Sequence, residues 1–148
     1  MDLILWRHAD AESGIPDEER RLTTKGRKQA ERMAAWLAQR LPEHYVVLSS
    51  PARRAQETAR ALTKNFETRV EVGTFATPQA ILEAAAWPRS EETVIVVGHQ
   101  PTLGQAAAFA LTGNVFDWGV KKAAVWWLAR REGEQKAYLR AVMAPDLL

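Results

Sequence analysis

Short apolar runs recur along this chain and predict its strands. Leu3–Trp6, Tyr45–Leu48 and Thr93–Val97 each consist of four or five mainly aliphatic or aromatic residues. Runs of this length are too short for helices and are typical of strands that are buried on both faces, as in a parallel sheet. Further along the chain, Arg69–Val72 predicts one more short strand.

Between these runs, apolar residues recur with the 3.6-residue period of a helix. A first helix can be capped by Thr23 or Thr24 and ended by Pro42. Its apolar positions are Ala30, Met33, Ala34, Leu37 and Leu41. Ser50 and Pro51 supply the N-cap and the first-turn proline of a second helix. The positions expected on one face of that helix are Ala55, Thr58, Ala59 and Leu62.

The remaining elements complete an alternating order of strands and helices. Pro78–Ala86 predicts a short helix, and an alanine-rich helix is predicted from Pro101 to Ala110. Ala123–Ala129 and Ala137–Met143 predict the two strands of a C-terminal hairpin. This order predicts an α/β fold, a three-layer sandwich in which helices flank a mainly parallel central sheet.

The composition excludes several classes of protein. The 148 residues include no cysteine, so disulfides, paired-cysteine redox motifs and thiolate metal sites are ruled out. No apolar run is long enough to span a membrane, and Arg7 comes too early for a signal peptide. We therefore expect a cytoplasmic protein with no membrane partner, folded as a single domain over residues 1–148.

The charges of the chain are nearly balanced. There are 20 Lys and Arg residues against 18 Asp and Glu residues, so the formal net charge is +2. Opposite signs are interspersed, for example where Lys25, Arg27 and Lys28 are followed by Glu31. A nucleic-acid surface requires cations gathered on one face. The mixed signs instead predict a solvated surface and no nucleic-acid partner.

Three of the predicted strands are followed by residues that can bind an anion. Arg7 and His8 follow the first strand, Arg53 and Arg54 the second, and His99 the third. In open α/β sheets, ligands bind beyond the carboxyl ends of the strands. Free amide groups at the starts of the following helices also favour negative charge there. These side chains are therefore expected to converge on one crevice.

The chemistry of this set suits a phosphoryl group. Guanidinium groups bind phosphate oxygens bidentately and remain charged at any relevant pH. A neutral imidazole can attack phosphorus, and nearby cations lower its pKa, which keeps the attacking nitrogen unprotonated. A second, protonated histidine would donate to the phosphoryl oxygens. Because phosphoryl transfer depends mostly on positioning and charge stabilisation, the set requires no metal or other cofactor.

On the residues alone, other assignments remain open. His8, Asp10 and His99 could ligate the metal of a metal-dependent phosphoesterase, although the arginines in the same crevice argue against a cation. A phosphoprotein-binding module without turnover would keep the same anion pocket. His44 is expected on the surface. Ser50 is expected to be a helix cap more than a catalytic serine, because no GxSxG elbow surrounds it. The acidic run 17–19 is expected to be a solvated loop.

Four segments resemble motifs of the histidine phosphatase superfamily, in the same order and with similar spacing. Leu5–Ala9 resembles the RHG signature, and Leu22–Ala30 resembles LTxxGxxQA. Ser50–Ala59 is similar to SPxxRAxxTA, and Val97–Pro101 is similar to VGHxP. The resemblance implies a phosphoglycerate mutase-like fold and phosphatase (hydrolase) activity. The short chain and its Arg7–Ala11 start most resemble the SixA-like phosphohistidine phosphatases.

The same resemblance implies roles for individual residues. His8 would be the nucleophile and would form a phosphohistidine intermediate, while Arg7, Arg54 and His99 would bind the phosphate. The RAxxT register selects Arg54 over Arg53, and about 100° around a helix separates the two side chains. Ala9 stands where the family has glycine, which is harmless only if its φ is negative.

The general acid of the larger family members has no clear counterpart. Glu83 is the single carboxylate between Val72 and Ser90, and Asp10 and Glu12 lie just past the expected nucleophile. All three are candidates for the acid, although Glu83 better suits an ordinary surface position. Without an acid, the substrate must have a leaving group that departs easily, as the imidazole of phosphohistidine does.

The expected function is therefore that of a metal-independent phosphohistidine phosphatase acting on a signalling protein. The expected partner is a phosphohistidine-bearing protein, and a monomer is favoured. A small-molecule phosphoesterase is an alternative.

Overall fold

The computed structural model describes residues 1–148 and contains one six-stranded sheet. Its strands are β1 (Asp2–Arg7), β2 (Val46–Ser49), β3 (Glu67–Thr68), β4 (Thr93–Gly98), β5 (Val125–Ala129) and β6 (Tyr138–Met143). Their order across the sheet is β3-β2-β4-β1-β5-β6. The first four in this order are parallel, whereas β5 is antiparallel to both β1 and β6. The predicted mainly parallel sheet and the C-terminal hairpin are both confirmed.

Helices cover both faces of this sheet. They are α1 (Thr24–Ala38), α2 (Arg53–Arg60), α3 (Pro78–Ala84) and α4 (Thr102–Thr112). Because side chains alternate along a strand, Leu3 and Leu5 of β1 join the core beneath α3 and α4, while Ile4 and Trp6 join the core beneath α1 and α2. The predicted three-layer sandwich is confirmed. None of the helices combines the length and apolar character needed to cross a membrane.

The carboxyl ends of three parallel strands lie side by side. In the pairing of β1 with β4, Arg7 is the register partner of Gly98. The ladder continues just past the strands: the amide of His8 donates to the carbonyl oxygen of Gly98, and that of Ser50 donates to the carbonyl oxygen of Val97, each at 3.0 Å. The segments that follow β1, β2 and β4 are therefore held together at one edge of the sheet.

The prediction of a strand over Arg69–Val72 is wrong. The third strand is instead Glu67–Thr68, and Val70–Val72 forms one turn of 3-10 helix. Val70 is 75% exposed, whereas Val72 is buried. The segment therefore buries a single valine, and the carbonyl oxygen of Val70 accepts from the amide of Gly73, which closes the turn.

The predicted start of the second helix also needs correction. Helix α2 begins at Arg53 with Ala52 as its N-cap, so Ser50 and Pro51 precede the helix. The hydroxyl of Ser50 accepts from the amide of Ala52 at 3.1 Å and holds the chain in a turn ahead of the helix. At its other end α2 stops at Arg60, before the predicted position 62.

Candidate active site

A pocket of about 280 Å3 opens at the carboxyl ends of β1, β2 and β4. We call it the histidine pocket. Of the five residues that the sequence suggested for an anion site, the structure brings four to this pocket: Arg7, His8, Arg54 and His99. The remaining lining residues are Ala11, Asp17, Arg20, Thr74, Gln100 and Lys122. Four of the ten lining side chains are arginine or lysine, so the pocket suits an anion.

His8 lies in this pocket and is only 8% exposed. Its Nδ1 donates to the carbonyl oxygen of Ala9 at 2.8 Å, because a carbonyl oxygen can only accept. This contact leaves Nε2 as the nitrogen with a free lone pair. Burial, followed by the charges of Arg54 and Arg7, lowers the pKa of His8 to about 4. The imidazole is therefore neutral at physiological pH and can act as a nucleophile.

The alanine after this histidine fits without strain. Ala9 does not adopt a positive φ, so the glycine usual at this position is not required. Its amide donates to the Oγ1 of Thr58 at 3.0 Å, and that hydroxyl donates in turn to the carbonyl oxygen of Arg54 at 2.8 Å. The buried Thr58 therefore connects the segment after β1 to helix α2. The sequence pattern identifies Thr58 only as an apolar-face position.

Arg54 and Arg53 point to different surroundings. Arg54 is 5% exposed, and its Nη1 and Nη2 donate to the main-chain oxygen and the carboxylate of Asp17 at 2.9 and 3.1 Å. Arg53 is exposed and pairs with Glu57 at 3.3 Å on the outside of α2. The structure thus places Arg54 in the pocket and Arg53 outside it, as the helical register predicts.

Two arginine nitrogens in the pocket have no protein acceptor. The Nη1 of Arg7 donates to the carbonyl oxygen of Val120 at 2.9 Å. The Nε atoms of Arg7 and Arg54 are both buried and lack a hydrogen-bond partner. A buried donor without an acceptor costs free energy, and the protein itself supplies no acceptor for either of these two nitrogens.

His99 faces the same pocket from the end of β4. It is 5% exposed, and its ring centroid lies 5.2 Å from that of His8. Burial, followed by the charges of His8 and Arg54, lowers the pKa of His99 to about 3. Its Nε2 lies 2.8 Å from the Oγ of Ser50. Ser50, predicted as a helix cap, is instead the hydrogen-bond partner that orients this imidazole.

Sequence reasoning also missed an ion-pair network at the rim. The carboxylate of Asp17 accepts from Arg20 at 3.0 Å and from Arg54 at 3.1 Å, and all three residues line the pocket. The hydrogen bond from Arg20 is the main reason that the pKa of Asp17 lies below its usual value. The side chain of Asp17 is 58% exposed, so the predicted solvated loop also carries a pocket residue. The sequence did contain a signal for this network, because Asp17 and Arg20 carry opposite charges and are three residues apart.

None of the three candidates for the general acid lines the pocket. Glu83 is exposed on α3 and borders a separate groove with Trp87. The carboxylate of Asp10 accepts from Thr23 Oγ1 and from Lys122 Nζ, each at 2.8 Å. These two hydrogen bonds are the main cause of the lowered pKa of Asp10. Glu12, the third candidate, is exposed and pairs with Arg21 at 2.8 Å. Glu83 thus occupies the ordinary surface position that the sequence favours for it, and no candidate carboxylate lines the pocket.

The ligand set considered for a metal is not assembled either. No three His, Asp or Glu side chains in the chain are grouped as metal ligands would be. Asp10 is engaged by Thr23 and Lys122, apart from the two histidines. His44, as expected, is exposed, and it borders a different cavity, near the start of β2.

The fold and this pocket define an α/β protein with an anion site at the carboxyl edge of its sheet. Residues 3–74 match the family model of the histidine phosphatase superfamily (branch 1). An uncharacterized protein of Picosynechococcus sp. is 34% identical over 139 residues, which cover 84% of this chain and 82% of that protein. The chain belongs to the histidine phosphatase superfamily, which confirms the predicted class of phosphatase.

Solved structures agree with the predicted branch of this superfamily. The protein histidine phosphatase SixA, complexed with tungstate, superposes with a TM-score of 0.83 at 24% identity over 99% of both chains. A putative phosphohistidine phosphatase SixA from Nakamurella multipartitia gives a TM-score of 0.78 at 27% identity over 97% of this chain and 95% of that chain. The predicted SixA-like fold is confirmed.

Proposed function

We propose that this protein is a metal-independent phosphohistidine phosphatase that works through a covalent intermediate on His8. The observation that carries the proposal is the charge state of the histidine pocket. Asp17 is its only carboxylate, and Arg20 and Arg54 keep that carboxylate deprotonated at neutral pH. The pocket therefore holds cations for a phosphoryl group but no carboxylic acid to protonate a leaving group.

The binding of the phosphoryl group is assigned to Arg7, Arg54 and His99. The two unpartnered Nε donors of Arg7 and Arg54 support this assignment, because a phosphoryl group supplies the acceptor oxygens they lack. The SixA structure that shares this fold is a complex with tungstate, an oxyanion of similar shape to phosphate. A bound dianion raises the pKa of a neighbouring imidazole, which favours protonation of His99 as the phosphate enters.

The proposed reaction has two displacement steps. In the first, the lone pair of His8 Nε2 forms a bond to phosphorus while the bond from phosphorus to the substrate nitrogen breaks. In the second, water attacks the phosphohistidine: the new P–O bond forms, the bond to His8 breaks, and both water protons leave with the phosphate. The hydrogen bond from Nδ1 to the carbonyl oxygen of Ala9 keeps Nε2 as the reacting nitrogen in both steps.

The leaving group decides the substrate class. The departing imidazole of a phosphohistidine is protonated on its other ring nitrogen near neutral pH, so it leaves as a neutral ring without an enzymatic acid. The alkoxide of a phosphate ester needs a proton from the enzyme. Because Glu83 and Asp10 lie outside the pocket, the enzyme is expected to act on phosphate esters slowly.

Apolar side chains around the pocket support a protein as the substrate. Ile15 and Phe75 are each 97% exposed. Ile15 lies two residues before Asp17, and Phe75 directly follows Thr74, so both flank residues that line the pocket. Large exposed apolar side chains beside a site are typical of surfaces that contact another protein. A role in signalling, a cytoplasmic location and a monomeric state stay predictions.

A phosphate-release panel tests this function. Wild-type protein and the His8→Ala variant are incubated with a phosphohistidine protein, free phosphohistidine and a sugar phosphate. We expect release from both phosphohistidine substrates by wild type only, with little release from the sugar phosphate. Preference for the sugar phosphate would assign a small-molecule phosphoesterase, and saturable binding without release would assign a phosphoprotein-binding module.

Trapping the intermediate tests the nucleophile separately. Wild-type protein quenched during turnover should carry a phosphoryl group that is labile to acid and stable to alkali, as expected for phosphohistidine. Its persistence in His8→Ala, or its stability to acid, would contradict the assignment of His8. Activity that is lost on exhaustive chelation would contradict metal independence.

A further inference from the structure

A second concave surface adjoins the histidine pocket and is larger. This groove has a volume of about 750 Å3 and lies between α1, the segment before β5 and the C-terminal residues Pro145 and Asp146. We call it the basic groove. Six of its nine lining residues are cationic: Arg7, Lys25, Lys28, Arg32, Lys121 and Lys122.

Positive charge is concentrated here far beyond the average of the chain. With six cations and the single carboxylate of Asp146, the lining carries five net positive charges, against +2 for the whole protein. No carboxylate lies within ion-pair distance of Lys25, Lys28, Arg32 or Lys121. The groove thus has a surplus of exposed, unpaired positive charge.

The fold creates this surplus from a sequence in which the signs are mixed. Lys25, Lys28 and Arg32 are spaced at i, i+3 and i+7, which places them on one face of α1. Glu31, which follows Lys28 closely in sequence, does not line the groove. The sequence-based expectation of an evenly mixed surface is therefore wrong for this face of the protein.

The far wall of the groove is fixed in place. The carbonyl oxygen of Lys121 accepts from the amide of Ala124 at 2.9 Å, and Lys122 Nζ donates to Asp10 at 2.8 Å. Arg7 reaches the same segment through its hydrogen bond to Val120 at 2.9 Å. These contacts fix the backbone of this wall, so binding a ligand there costs less ordering entropy than it would on a loose loop.

The groove and the histidine pocket are adjacent. Arg7 and Lys122 line both of them. A chain that presents a phosphorylated side chain to His8 therefore has the basic groove as its neighbouring surface. None of the groove's lining residues is aromatic, so the groove lacks the stacking platform typical of sites for single-stranded nucleic acid.

We propose that the basic groove binds an acidic segment of the substrate protein, rich in Asp or Glu and close to the phosphohistidine. The identity of this segment as part of a substrate rests on the proposed function, whereas its binding rests on the groove alone. From Lys25 to Arg32, α1 rises by about 10 Å, a distance that three or four residues of extended chain span. The groove therefore fits a short acidic run beside the reacting residue.

Equilibrium binding tests the proposal without any catalytic step. The probes are a fluorescein-labelled glutamate-rich peptide and the same peptide with glutamine at every glutamate, measured by fluorescence anisotropy at low and physiological salt. We expect the glutamate peptide to bind about tenfold more tightly than the glutamine peptide, and salt to weaken its binding. The Lys28→Glu/Arg32→Glu variant should weaken it by a further factor of about ten.

A matched variant controls for total charge. Lys64→Glu/Arg89→Glu makes the same charge change at two exposed residues. These residues precede β3 and β4 and so lie toward the amino ends of the parallel strands, whereas the histidine pocket lies at the carboxyl ends. It should bind the glutamate peptide within about twofold of wild type. Circular dichroism and thermal unfolding establish that both variants fold.

Activity links the groove to the substrate. Lys28→Glu/Arg32→Glu should lower kcat/KM for phosphohistidine within an acidic peptide by about tenfold and leave kcat/KM for free phosphohistidine unchanged. If wild type releases phosphate from neither substrate but still binds the glutamate peptide, the proposed function fails and the groove assignment stands.

Equal binding of the glutamate and glutamine peptides would overturn the groove assignment, and so would undiminished binding of the glutamate peptide by Lys28→Glu/Arg32→Glu. Inorganic tripolyphosphate and a DNA oligonucleotide are tested in the same assay. Tight binding of either one without binding of the glutamate peptide would also overturn the assignment.

Discussion

Arg54 and Asp17 form a two-point contact at the rim of the histidine pocket. Nη1 of the guanidinium donates to the main-chain oxygen of Asp17 at 2.9 Å, and Nη2 donates to its carboxylate at 3.1 Å. The contact ties the segment between β1 and α1 to helix α2 and fixes the plane of the arginine fork. Under the proposed function, Asp17 is therefore a positioning residue that holds Arg54 in the pocket.

Removing the Asp17 carboxylate should loosen this arrangement. We expect Asp17→Ala to lower kcat/KM for phosphohistidine by about fivefold, a modest effect because the pair is partly exposed and screened by solvent. The main-chain contact to Arg54 survives the substitution, so folding should be unaffected. Glu18→Ala, in the same turn, is the control and should keep wild-type kinetics. Wild-type kinetics in Asp17→Ala as well would show that Arg54 needs no support.

The two adjacent arginines should differ sharply in their effect on rate. Arg54→Ala is expected to lower kcat/KM by about a hundredfold or more, because a buried positive charge that lines the histidine pocket is lost. Arg54→Lys should recover only part of the loss, since an ammonium cannot replace the fork. Arg53→Ala, which removes an exposed ion pair with Glu57, should change the rate less than about twofold. Equal losses in the two alanine variants would contradict the register.

The helical register that separates Arg54 from Arg53 is one of the features that the sequence predicts. The apolar runs Leu3–Trp6 and Thr93–Val97 predicted β1 and β4 because strands buried on both faces leave a local signal. Once the strands are placed, parallel pairing brings Arg7, His8 and His99 to one edge, whatever the loops between them do. The helical period then separates Arg54 from Arg53. These steps need only local patterns and one topological rule.

Features formed by contacts between distant segments were beyond the same reasoning. Ser50 reads as a helix cap because nothing local indicates that His99, far along the chain, lies 2.8 Å from its hydroxyl. The basic groove is hidden in the same way, since Lys28 and Lys122 come from opposite ends of the sequence. Opposite charges that are close in sequence can lie on different faces of a helix, because each turn contains 3.6 residues.

The two buried histidines should make the protein less stable in acid. The folded pKa of His8, about 4, lies below the 6.5 of an unperturbed histidine. Between these values the unfolded chain binds a proton that the folded protein does not, so the free energy of unfolding rises with pH. For His8 the full change is about 3 kcal/mol. The shift of His99 has the same sign.

Urea unfolding across this pH range measures the effect. Wild type should gain stability steadily from about pH 4 to pH 6.5, the interval set by His8. His8→Ala should lose part of that slope, whereas His44→Ala, an exposed position away from the pocket, should keep it. The same slope in wild type and His8→Ala would mean that His8 binds its proton equally well in the folded and unfolded states.

At the opposite end of β1, Asp2 should contribute to stability without affecting catalysis. Its carboxylate, whose side chain is 9% exposed, accepts from Trp127 Nε1 at 2.7 Å, from Arg140 Nη1 at 2.6 Å and from Arg131. Burial raises the pKa of Asp2, but these hydrogen bonds together outweigh burial and hold it below its usual value. Asp2→Ala leaves the indole N–H and both guanidinium groups without this acceptor. We expect the free energy of unfolding to fall by about 2–3 kcal/mol at neutral pH.

The dependence of this effect on pH provides a further check. Because the folded pKa is lowered, the stabilisation by Asp2 is present above the unfolded pKa and is lost as the pH falls through the folded value. The stabilities of Asp2→Ala and wild type should therefore converge in strong acid. Glu132→Ala, at an exposed position in the neighbouring hairpin turn, should match wild type throughout. The phosphate-release rate of folded Asp2→Ala should equal that of wild type, and a loss of rate would mean that Asp2 is coupled to the histidine pocket along β1.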